Sequence, residues 1–268
     1  MRGFRDFFEE FSYPAGEPHV RLKQMPWNEE TILAPVYDWN GLNNLYLATE
    51  ILLRHGIMVK WLVPYFPFAR HDRPNNNSDA SPLQAAIRFV RSSGMDVICI
   101  DPHSDVLAAQ ISHYTQAQVM AAFGVVSRSA PEVIVIPDAG ASKKAYTWTH
   151  LFPEAEVIQC EKKRDGRTGA LSGFKIHDQL GVITSSHVLI VDDICDGGGT
   201  FLGISDELDK LQPSHKELVV THGLFTKGMD QLNLAFDTIW TLDIYADRGD
   251  TRHVPVGNLE LTGSIERR

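Results

Sequence analysis

Seven short apolar runs are spaced along the chain, and helix-like stretches lie between several of them. The apolar runs cover residues 31–36, 59–63, 97–100, 133–136, 157–158, 188–191 and 218–220. Continuous apolar runs of this length are typical of strands that are buried on both faces of a parallel sheet. The helix-like stretches cover residues 41–55, 81–93 and 200–211. This alternation predicts an α/β fold with mostly parallel sheets flanked by helices.

The strand and helix pattern is interrupted once. It runs to about residue 118 and starts again near Glu132. A chain of 268 residues is long enough for two units, since domains commonly contain about 100 to 200 residues. We therefore predict two similar α/β halves, residues 1–118 and residues 119–268.

Composition and charge narrow the classes of function. The chain is 43% hydrophobic and 22% charged, which is typical of a globular protein. Its formal net charge of −9 disfavours binding to nucleic acid, because contacts with the phosphate backbone need a cationic surface. No apolar run reaches the roughly 18 residues of a membrane-spanning helix, and acids stand where a signal peptide would be apolar. We therefore expect a cytoplasmic protein that binds neither nucleic acid nor membrane.

The three cysteines, Cys99, Cys160 and Cys195, lie far apart in the sequence and beside apolar runs. That spacing suits neither a disulfide framework nor a zinc knuckle. We expect three reduced thiols.

Polar residues gather directly after several predicted strands. Asp101-Pro102-His103 follows one apolar run, residues 137–140 (PDAG) follow another, and Asp192-Asp193 follow a third. The carboxyl ends of parallel strands are where open α/β sheets bind ligands. The sequence therefore predicts a ligand site at this edge of each sheet.

The strongest local signal is residues 188–201, with the sequence VLIVDDICDGGGTF, an apolar strand that enters an acidic, glycine-rich loop before a helix. Glycines let the backbone approach a phosphate closely, and the amides at a helix start stabilise it. Neighbouring carboxylates suit sugar hydroxyls or a magnesium ion. An ordinary βα turn with capping residues is the alternative. We predict a cradle for a sugar phosphate made by Asp192, Asp193, Asp196, Gly197, Gly198, Gly199 and Thr200.

This loop resembles the phosphoribosyl-diphosphate loop shared by type I phosphoribosyltransferases and ribose-phosphate diphosphokinases. Residues 64–73 (PYFPFARHDR) resemble a signature of the diphosphokinases that the transferases lack. Residues 101–103, 137–140, 161–164 (EKKR) and 221–225 (THGLF) resemble further motifs of that family in the same order, and residues 13–17 (YPAGE) do so more faintly. The chain is similar to the ribose-phosphate diphosphokinase family over roughly residues 11–230.

The resemblance implies two halves that each resemble a type I phosphoribosyltransferase, with ATP bound on the N-terminal side and the phosphoribosyl loop in the C-terminal half. It also implies an enzyme that transfers diphosphate from ATP to the 1-hydroxyl of ribose 5-phosphate in a Mg2+-dependent reaction. The products are phosphoribosyl diphosphate and AMP. Members of the family form homo-oligomers, so the resemblance implies a dimer or a hexamer.

The motifs assign roles by resemblance. Lys162, Arg164 and His103 correspond to catalytic residues, and His103 and Asp138 to the residues associated with magnesium. The ATP site would include Arg70, His71, Asp72, Arg73, Tyr13 and Glu17. Outside these motifs, an Arg beside an Asp is usually a surface pair and a His at a strand end is usually a capping or buried residue. We expect the following histidines, which fall in no motif, to be surface or packing residues: His55, His113, His150, His177, His187, His215 and His253.

One departure from the pattern bears on the acceptor. Gly197 stands where the family usually has a hydroxyl residue, so we expect a more open pocket around the 5-phosphate. That opening leaves ADP-ribose as an alternative acceptor, which would make the protein an enzyme of NAD salvage. A type I phosphoribosyltransferase and a catalytically silent regulatory homologue are further alternatives. Both are disfavoured because the arginine signature and the lysine and arginine flag at Lys162 and Arg164 are intact.

Overall fold

The computed structural model describes residues 1–74, 76–122, 124, 130–138, 142–164, 171–242 and 252–254. For residues 142–145, 162–164, 171–172 and 252–254 the description is limited to the backbone. The chain divides into two compact units, Met1–Thr115 and Gln116–Pro255. We propose that the two halves of the chain divide between residues 118 and 119.

The first unit contains a four-stranded parallel sheet and an antiparallel hairpin. The sheet has the order β3-β4-β5-β6, and the hairpin pairs β1 with β2. The strands are β1 (Phe8–Ser12), β2 (Pro18–Leu22), β3 (Thr31–Leu33), β4 (Lys60–Val63), β5 (Asp96–Ile100) and β6 (Ser112–Tyr114). The helices are α1 (Phe4–Phe7), α2 (Trp39–Arg54), α3 (Pro82–Ser92) and α4 (Asp105–Ala108).

Helix α2 shows how the sequence produces this unit. Its N-cap is Asp38, whose side chain accepts a 2.9 Å hydrogen bond from the Gly41 amide, so the helix begins before the predicted position 41. Leu45 and Leu52, seven residues apart, are buried on one side of the helix. Its buried Thr49 hydroxyl accepts a 2.8 Å hydrogen bond from the indole of Trp61 in β4. This side of α2 therefore packs on the sheet.

The second unit is built on a seven-stranded sheet with the order β13-β12-β11-β10-β7-β8-β9. Neighbouring strands are parallel except for β8 and β9, which are antiparallel. The strands are β7 (Val133–Ile136), β8 (Glu156–Arg164), β9 (Leu171–Ile176), β10 (His187–Cys195), β11 (His215–Gly223), β12 (Thr238–Leu242) and β13 (Arg252–Val254). The helices are α5 (Gln116–Ala122), α6 (Ser142–Leu151), α7 (Gly199–Asp209) and α8 (Asp230–Ala235).

The order of strands reverses at the centre of this sheet. From β7 the chain proceeds outward through β8 to β9, and from β10 it proceeds outward in the opposite direction through β11 and β12. A reversal of this kind leaves a crevice outside the carboxyl ends of the two central strands, where open α/β sheets bind ligands. The crevice of the second unit therefore lies at the ends of β7 and β10.

The predicted α/β class with mostly parallel sheets is confirmed. All seven apolar runs contain strand residues, and all three helix-like stretches contain helices. The structure also contains strands outside the seven runs, namely β1, β2, β6, β9, β12 and β13, and it extends β8, which the sequence predicts at residues 157–158, to Arg164. The second part of β8 leaves the parallel sheet and pairs with β9. This pairing holds residues 161–164 in a strand although they are polar and show no apolar pattern. In the described part of the chain, no helix has both the length and the apolar character required to cross a bilayer.

Candidate functional site

The acidic loop and the Pro-Asp motif lie on either side of the crevice in the second unit. Strands β7 and β10 are in parallel register, with Val135 opposite Ile190. Asp138 stands three residues after Val135, and Asp192 stands two residues after Ile190. The two carboxylates therefore belong to the same edge of the sheet, at the reversal of strand order. Oxygen ligands of this kind are the ones that Mg2+ prefers.

The loop that follows β10 requires glycine at position 198. Gly198 has φ +77°, a conformation that residues with a side chain rarely adopt. A Cβ atom there would also lie 3.2 Å from both methyl groups of Leu232. Gly198 is the N-cap of α7, and the first amides of a helix have no acceptor within the helix. The amides that begin at Gly199 can therefore stabilise an anion in the crevice.

The strand β10 is longer than predicted, so Asp192 and Asp193 lie at its end and only Asp196 of the three acids lies in the loop that follows. The three acids differ in their surroundings. Asp193 is buried, whereas Asp192 and Asp196 are half-buried. The Asp193 amide donates a 2.9 Å hydrogen bond to Oδ1 of Asp192. Thr226 fixes Asp196 twice, because its hydroxyl donates to Oδ1 at 2.7 Å and its amide donates to the Asp196 carbonyl at 2.9 Å. The loop after β11 therefore holds one side of the acidic loop in place.

A buried glutamine supports the other side of the loop. Gln116 is 3% exposed, and its Nε2 donates to the Asp192 carbonyl at 2.6 Å and to the Thr221 hydroxyl at 2.9 Å. Its Oε1 accepts a 2.8 Å hydrogen bond from Nε1 of Trp148. One side chain thus links α5, α6, β10 and β11 beneath the acids. The sequence analysis missed Gln116, since 76 residues separate it from Asp192 and no local motif marks it.

Lys227 is a second residue that the sequence analysis missed. A Cβ atom at Gly197 would lie 3.2 Å from Cδ and Cε of Lys227, so the aliphatic part of this lysine covers the glycine. The space next to Gly197 is therefore occupied by a lysine side chain in this structure, and the expected opening around the 5-phosphate stays a prediction. Lys227 is exposed and carries a positive charge beside the loop. It can replace the absent hydroxyl as a donor to phosphate.

The Lys-x-Arg segment lies on the part of β8 that pairs with β9. Lys162 is opposite Phe174, and Arg164 is opposite Leu171. Phe174 is buried against α7, since a Cβ atom at Gly203 would lie only 2.7 Å from its ring. The backbone at Lys162 is thus connected through Phe174 to the helix that follows the acidic loop. The side chains of Lys162 and Arg164 lie outside the described residues, as do Ala139 and Gly140 of the Pro-Asp-Ala-Gly motif.

The arginine signature of the first unit follows β4. Phe66 is buried in the core, and Phe68 packs against the core with φ +64°. Arg70, His71 and Arg73 are exposed. The chain at residues 66–68 is thus anchored by packing, and the polar residues after it face solvent. A guanidinium nitrogen of Arg73 lies 3.4 Å from the half-buried Asp72.

Asp101, which follows β5, has an unusual backbone conformation. Its φ is +44°, and its amide donates a 2.7 Å hydrogen bond to the Tyr114 carbonyl in β6. A positive φ at a residue other than glycine costs free energy and is often found at functional sites. The next residues bring His103 to an exposed position. Because β4 and β5 are parallel neighbours, His103 and the arginine signature follow strand ends on the same edge of this sheet.

The faint N-terminal motif forms the turn between β1 and β2. The Tyr13 amide donates a 2.9 Å hydrogen bond to the Glu17 carbonyl, and the Gly16 amide donates to the Tyr13 carbonyl at 2.8 Å. The side chains of Tyr13 and Glu17 are exposed. The ring of Tyr13 contacts His19, with 5.3 Å between centroids. The turn therefore presents both residues to solvent.

All three cysteines are buried free thiols, in agreement with the sequence analysis. Burial raises the pKa of Cys160 to about 12. Burial, together with the nearby carboxylates of Asp192 and Asp196, also raises the pKa of Cys195 to about 12. The pKa of Cys99 is raised as well, chiefly by burial. Cys195 immediately precedes the glycine-rich loop, but it stays protonated at neutral pH and is unsuited to act as a nucleophile.

Known proteins with similar sequences are ribose-phosphate pyrophosphokinases. The enzyme of that name from Sulfurisphaera tokodaii is 26% identical over 201 residues, which cover 71% of this chain and 67% of the relative. The one from Thermococcus kodakarensis is 24% identical over 235 residues, covering 85% of this chain and 81% of the relative. No family model matches the chain.

The fold is similar to that of a solved structure of the same kind. The phosphoribosylpyrophosphate synthetase from Mycobacterium smegmatis superimposes with a TM-score of 0.70 and 16% sequence identity, covering 88% of this chain and 80% of that structure. The sequence matches and this fold agree with the ordered motifs of the chain. The chain is therefore similar in sequence to ribose-phosphate pyrophosphokinases and similar in fold to a phosphoribosylpyrophosphate synthetase.

Proposed function

We propose that the protein transfers an intact diphosphate group from ATP to the anomeric hydroxyl of a 5-phosphorylated ribose. The observation that carries this proposal is the acidic, glycine-rich segment that runs from the end of β10 into the start of α7, at the strand reversal of the second unit. Relatives named ribose-phosphate pyrophosphokinase support the same reaction. The expected products are phosphoribosyl diphosphate and AMP.

The acceptor binds to the acidic loop in this proposal. The amides at Gly199 and Thr200 bind the 5-phosphate at the start of α7, and Lys227 adds a positive charge beside Gly197. The carboxylates of Asp192 and Asp193 accept hydrogen bonds from the ribose hydroxyls. Because carboxylates repel the phosphate, the 5-phosphate binds at the glycines and the ribose hydroxyls bind at the acids. This separation orients the sugar.

The chemical step forms one bond and breaks one bond. The anomeric oxygen attacks the β-phosphorus of ATP, the bond from that phosphorus to the oxygen bridging the α-phosphate breaks, and AMP leaves. The attacking hydroxyl releases its proton to water. We propose that Lys162 and Arg164 stabilise the negative charge on the transferred group, since a preorganised donor at such a position can contribute about 3 kcal/mol.

ATP and magnesium have their own proposed ligands. Arg70, His71, Asp72 and Arg73, together with Tyr13 and Glu17, are proposed to bind ATP on the basis of their motifs. Asp138 and His103 are proposed to hold Mg2+, and the carboxylate oxygen of Asp138 suits that ion. His103 is better suited to bind through a water molecule or a phosphate, because imidazole is an unusual magnesium ligand. The bound ion would neutralise phosphate charge.

Ribose 5-phosphate is the preferred acceptor in this proposal. The alternative, ADP-ribose, requires room around the 5-phosphate for a further substituent. The side chain of Lys227 occupies the space beside Gly197 that suggested such room. We therefore treat ADP-ribose as a competing acceptor to be tested beside ribose 5-phosphate.

We also propose that the protein acts as a homo-oligomer, a dimer or a hexamer, in the cytoplasm. The oligomer rests on the resemblance to the family alone. The three buried free thiols support a cytoplasmic location, since cysteines stay reduced in the cytoplasm.

The experiment is an assay of AMP formation with ATP, Mg2+ and one acceptor at a time. We expect turnover with ribose 5-phosphate, none with unphosphorylated ribose, and no more than weak turnover with ADP-ribose. Asp192→Asn should raise the KM for the acceptor more than that for ATP, whereas Asp206→Asn, at an exposed position on α7, should change neither. AMP formation that does not depend on an acceptor, or release of diphosphate only when a free base is supplied, would overturn the proposal.

A further inference from the structure

Two histidines and a buried glutamate converge at the amino edge of the second sheet. Among the residues whose side chains are described, His187, His215 and Glu217 form a group whose potential ligand atoms all lie within 4.8 Å of one another. The sequence analysis assigned the two histidines no role beyond surface or packing. The structure instead brings them to one carboxylate.

The register of β10 and β11 produces this arrangement. His187 and His215 are the first residues of the two strands and lie directly opposite each other. Their rings meet edge to face, with 4.8 Å between centroids. Glu217 is two residues after His215, so its side chain lies on the same face of the sheet. Three potential ligands therefore project from one face of two adjacent strands.

Two of the distances between these groups, each to a different oxygen of Glu217, are close to the distance between two ligands of a tetrahedral metal ion. Nε2 of His187 lies 3.4 Å from Oε2 of Glu217, and Nε2 of His215 lies 3.5 Å from Oε1. Two ligands bonded to zinc at about 2.0–2.1 Å in tetrahedral geometry are separated by about 3.3 Å. The spacing is thus longer than a good hydrogen bond and close to the edge of a zinc coordination tetrahedron.

Burial of charged and polar side chains costs free energy unless these groups have bonding partners. Glu217 is 4% exposed, and its carboxylate lies within 3.5 Å of a nitrogen of each histidine. Nε2 of His187 is buried and makes no hydrogen bond to any described residue, although it lies 3.4 Å from this carboxylate. A cation between the three groups would satisfy both the carboxylate and this nitrogen.

An outer carboxylate orients one of the histidines. Nδ1 of His215 lies 3.5 Å from Oδ2 of Asp237, and that same oxygen accepts a 2.8 Å hydrogen bond from the Lys216 amide. Histidines that bind metals commonly have their second ring nitrogen next to a carboxylate, which fixes the tautomer. Asp237 therefore leaves Nε2 of His215 directed toward Glu217.

We propose that His187, His215 and Glu217 form a zinc site with two imidazole ligands, one carboxylate ligand and a fourth position open to water. Two nitrogen ligands and one oxygen ligand suit zinc, whereas magnesium prefers oxygen ligands alone. The site lies at the opposite end of β10 from the acidic residues, since Asp192 is five residues along the strand from His187, or about 17 Å. Its role is to fix β10 to β11 at their amino ends, and it takes no part in the proposed reaction.

The test uses the full-length protein after removal of metals with a chelator, in excess Mg2+ and without ATP or sugar phosphate. We expect one Co2+ per chain to bind with the visible absorption of a tetrahedral complex, and Zn2+ to displace it. Zinc should raise the thermal midpoint of unfolding. X-ray absorption of the zinc-loaded protein should show nitrogen and oxygen ligands, imidazole among them, at about 2.0–2.1 Å.

Variants assign the ligands. His215→Gln and Glu217→Gln should each weaken zinc binding by about tenfold or more, whereas His150→Gln, at an exposed position on α6, should leave it unchanged. If a variant fails to fold, the spectra of the unaltered protein decide. Absence of tetrahedral Co2+ absorption in the unaltered protein, or unchanged affinity in both folded ligand variants, would overturn the proposal. Because no substrate is present, the result does not depend on the proposed activity.

Discussion

The buried side-chain amide of Gln116 donates a 2.6 Å hydrogen bond to the backbone carbonyl of Asp192. Asp192 is the first acid of the loop that we propose to bind the acceptor. Gln116 also accepts a hydrogen bond from Trp148 and donates one to Thr221, so it is held from two further sides. The position of the acid thus depends on a residue in α5 that contributes no charge of its own.

Replacement of Gln116 by methionine should destabilise the protein. Methionine preserves most of the volume but removes the three hydrogen bonds, and each buried polar group that loses a partner costs about 1–3 kcal/mol. We expect the free energy of unfolding in urea to fall by at least about 2 kcal/mol. Gln24→Met, at an exposed side chain that bonds only to the Asp6 carbonyl, should cost much less. Equal losses in the two variants would show that the buried network contributes nothing special.

Lys162→Ala should reduce kcat without unfolding the protein. Removal of one preorganised donor to the transferred diphosphate costs about 3 kcal/mol, which corresponds to roughly a hundredfold in rate. Lys175→Ala is the matched control, because this exposed lysine lies on the paired strand β9 opposite Glu161. A small and similar effect of both changes would remove Lys162 from the mechanism.

Lys227→Met should weaken binding of the acceptor without weakening binding of ATP. The change keeps the aliphatic cover over Gly197 but removes the charge beside the proposed phosphate position. We expect the KM for ribose 5-phosphate to rise about tenfold, in line with a lost charge-assisted hydrogen bond, while the KM for ATP stays within about twofold. Lys210→Met, near the other end of α7, serves as the control. A rise in the KM for ATP alone would show that Lys227 contacts ATP and not the acceptor.

The pKa of Cys195 predicts a loss of stability in alkaline solution. The fold raises this pKa from 9.0 to about 12, so the stabilisation by the neutral thiol is complete below pH 9 and is lost as the pH rises toward 12. We expect the difference in free energy of unfolding between the unaltered protein and Cys195→Ala to shrink between about pH 8 and about pH 11. A difference that stays constant over this range would contradict the burial of an un-ionised thiol.

The sequence predicts those parts of the fold whose signals are local. Residues 188–201 combine an apolar strand, acids and glycines within one strand, loop and helix, so their structure could be inferred without knowledge of any distant residue. The antiparallel extension of β8 had no such signal, because its residues 161–164 are polar and acquire their structure from the partner β9.

The support of the site depends on distant residues and could not be inferred in this way. The contact of Gln116 with Asp192 spans 76 residues, and the contact of Lys227 with Gly197 depends on the turn after β11. His187 and His215 meet only because β10 and β11 are in register. These contacts depend on how distant segments pack and, for the two histidines, on the register of strands, neither of which apolar patterns determine.

The most direct test of the account is to follow the β-phosphorus of ATP during turnover. The protein is incubated with Mg2+, ribose 5-phosphate and ATP that carries a heavy oxygen isotope in the non-bridging oxygens of its β-phosphate, and the masses of the separated products are measured by mass spectrometry. The account predicts that the label appears in a sugar carrying two additional phosphates and that the nucleotide product is unlabelled AMP. Label retained in ADP, with a single phosphate added to the sugar, would contradict it.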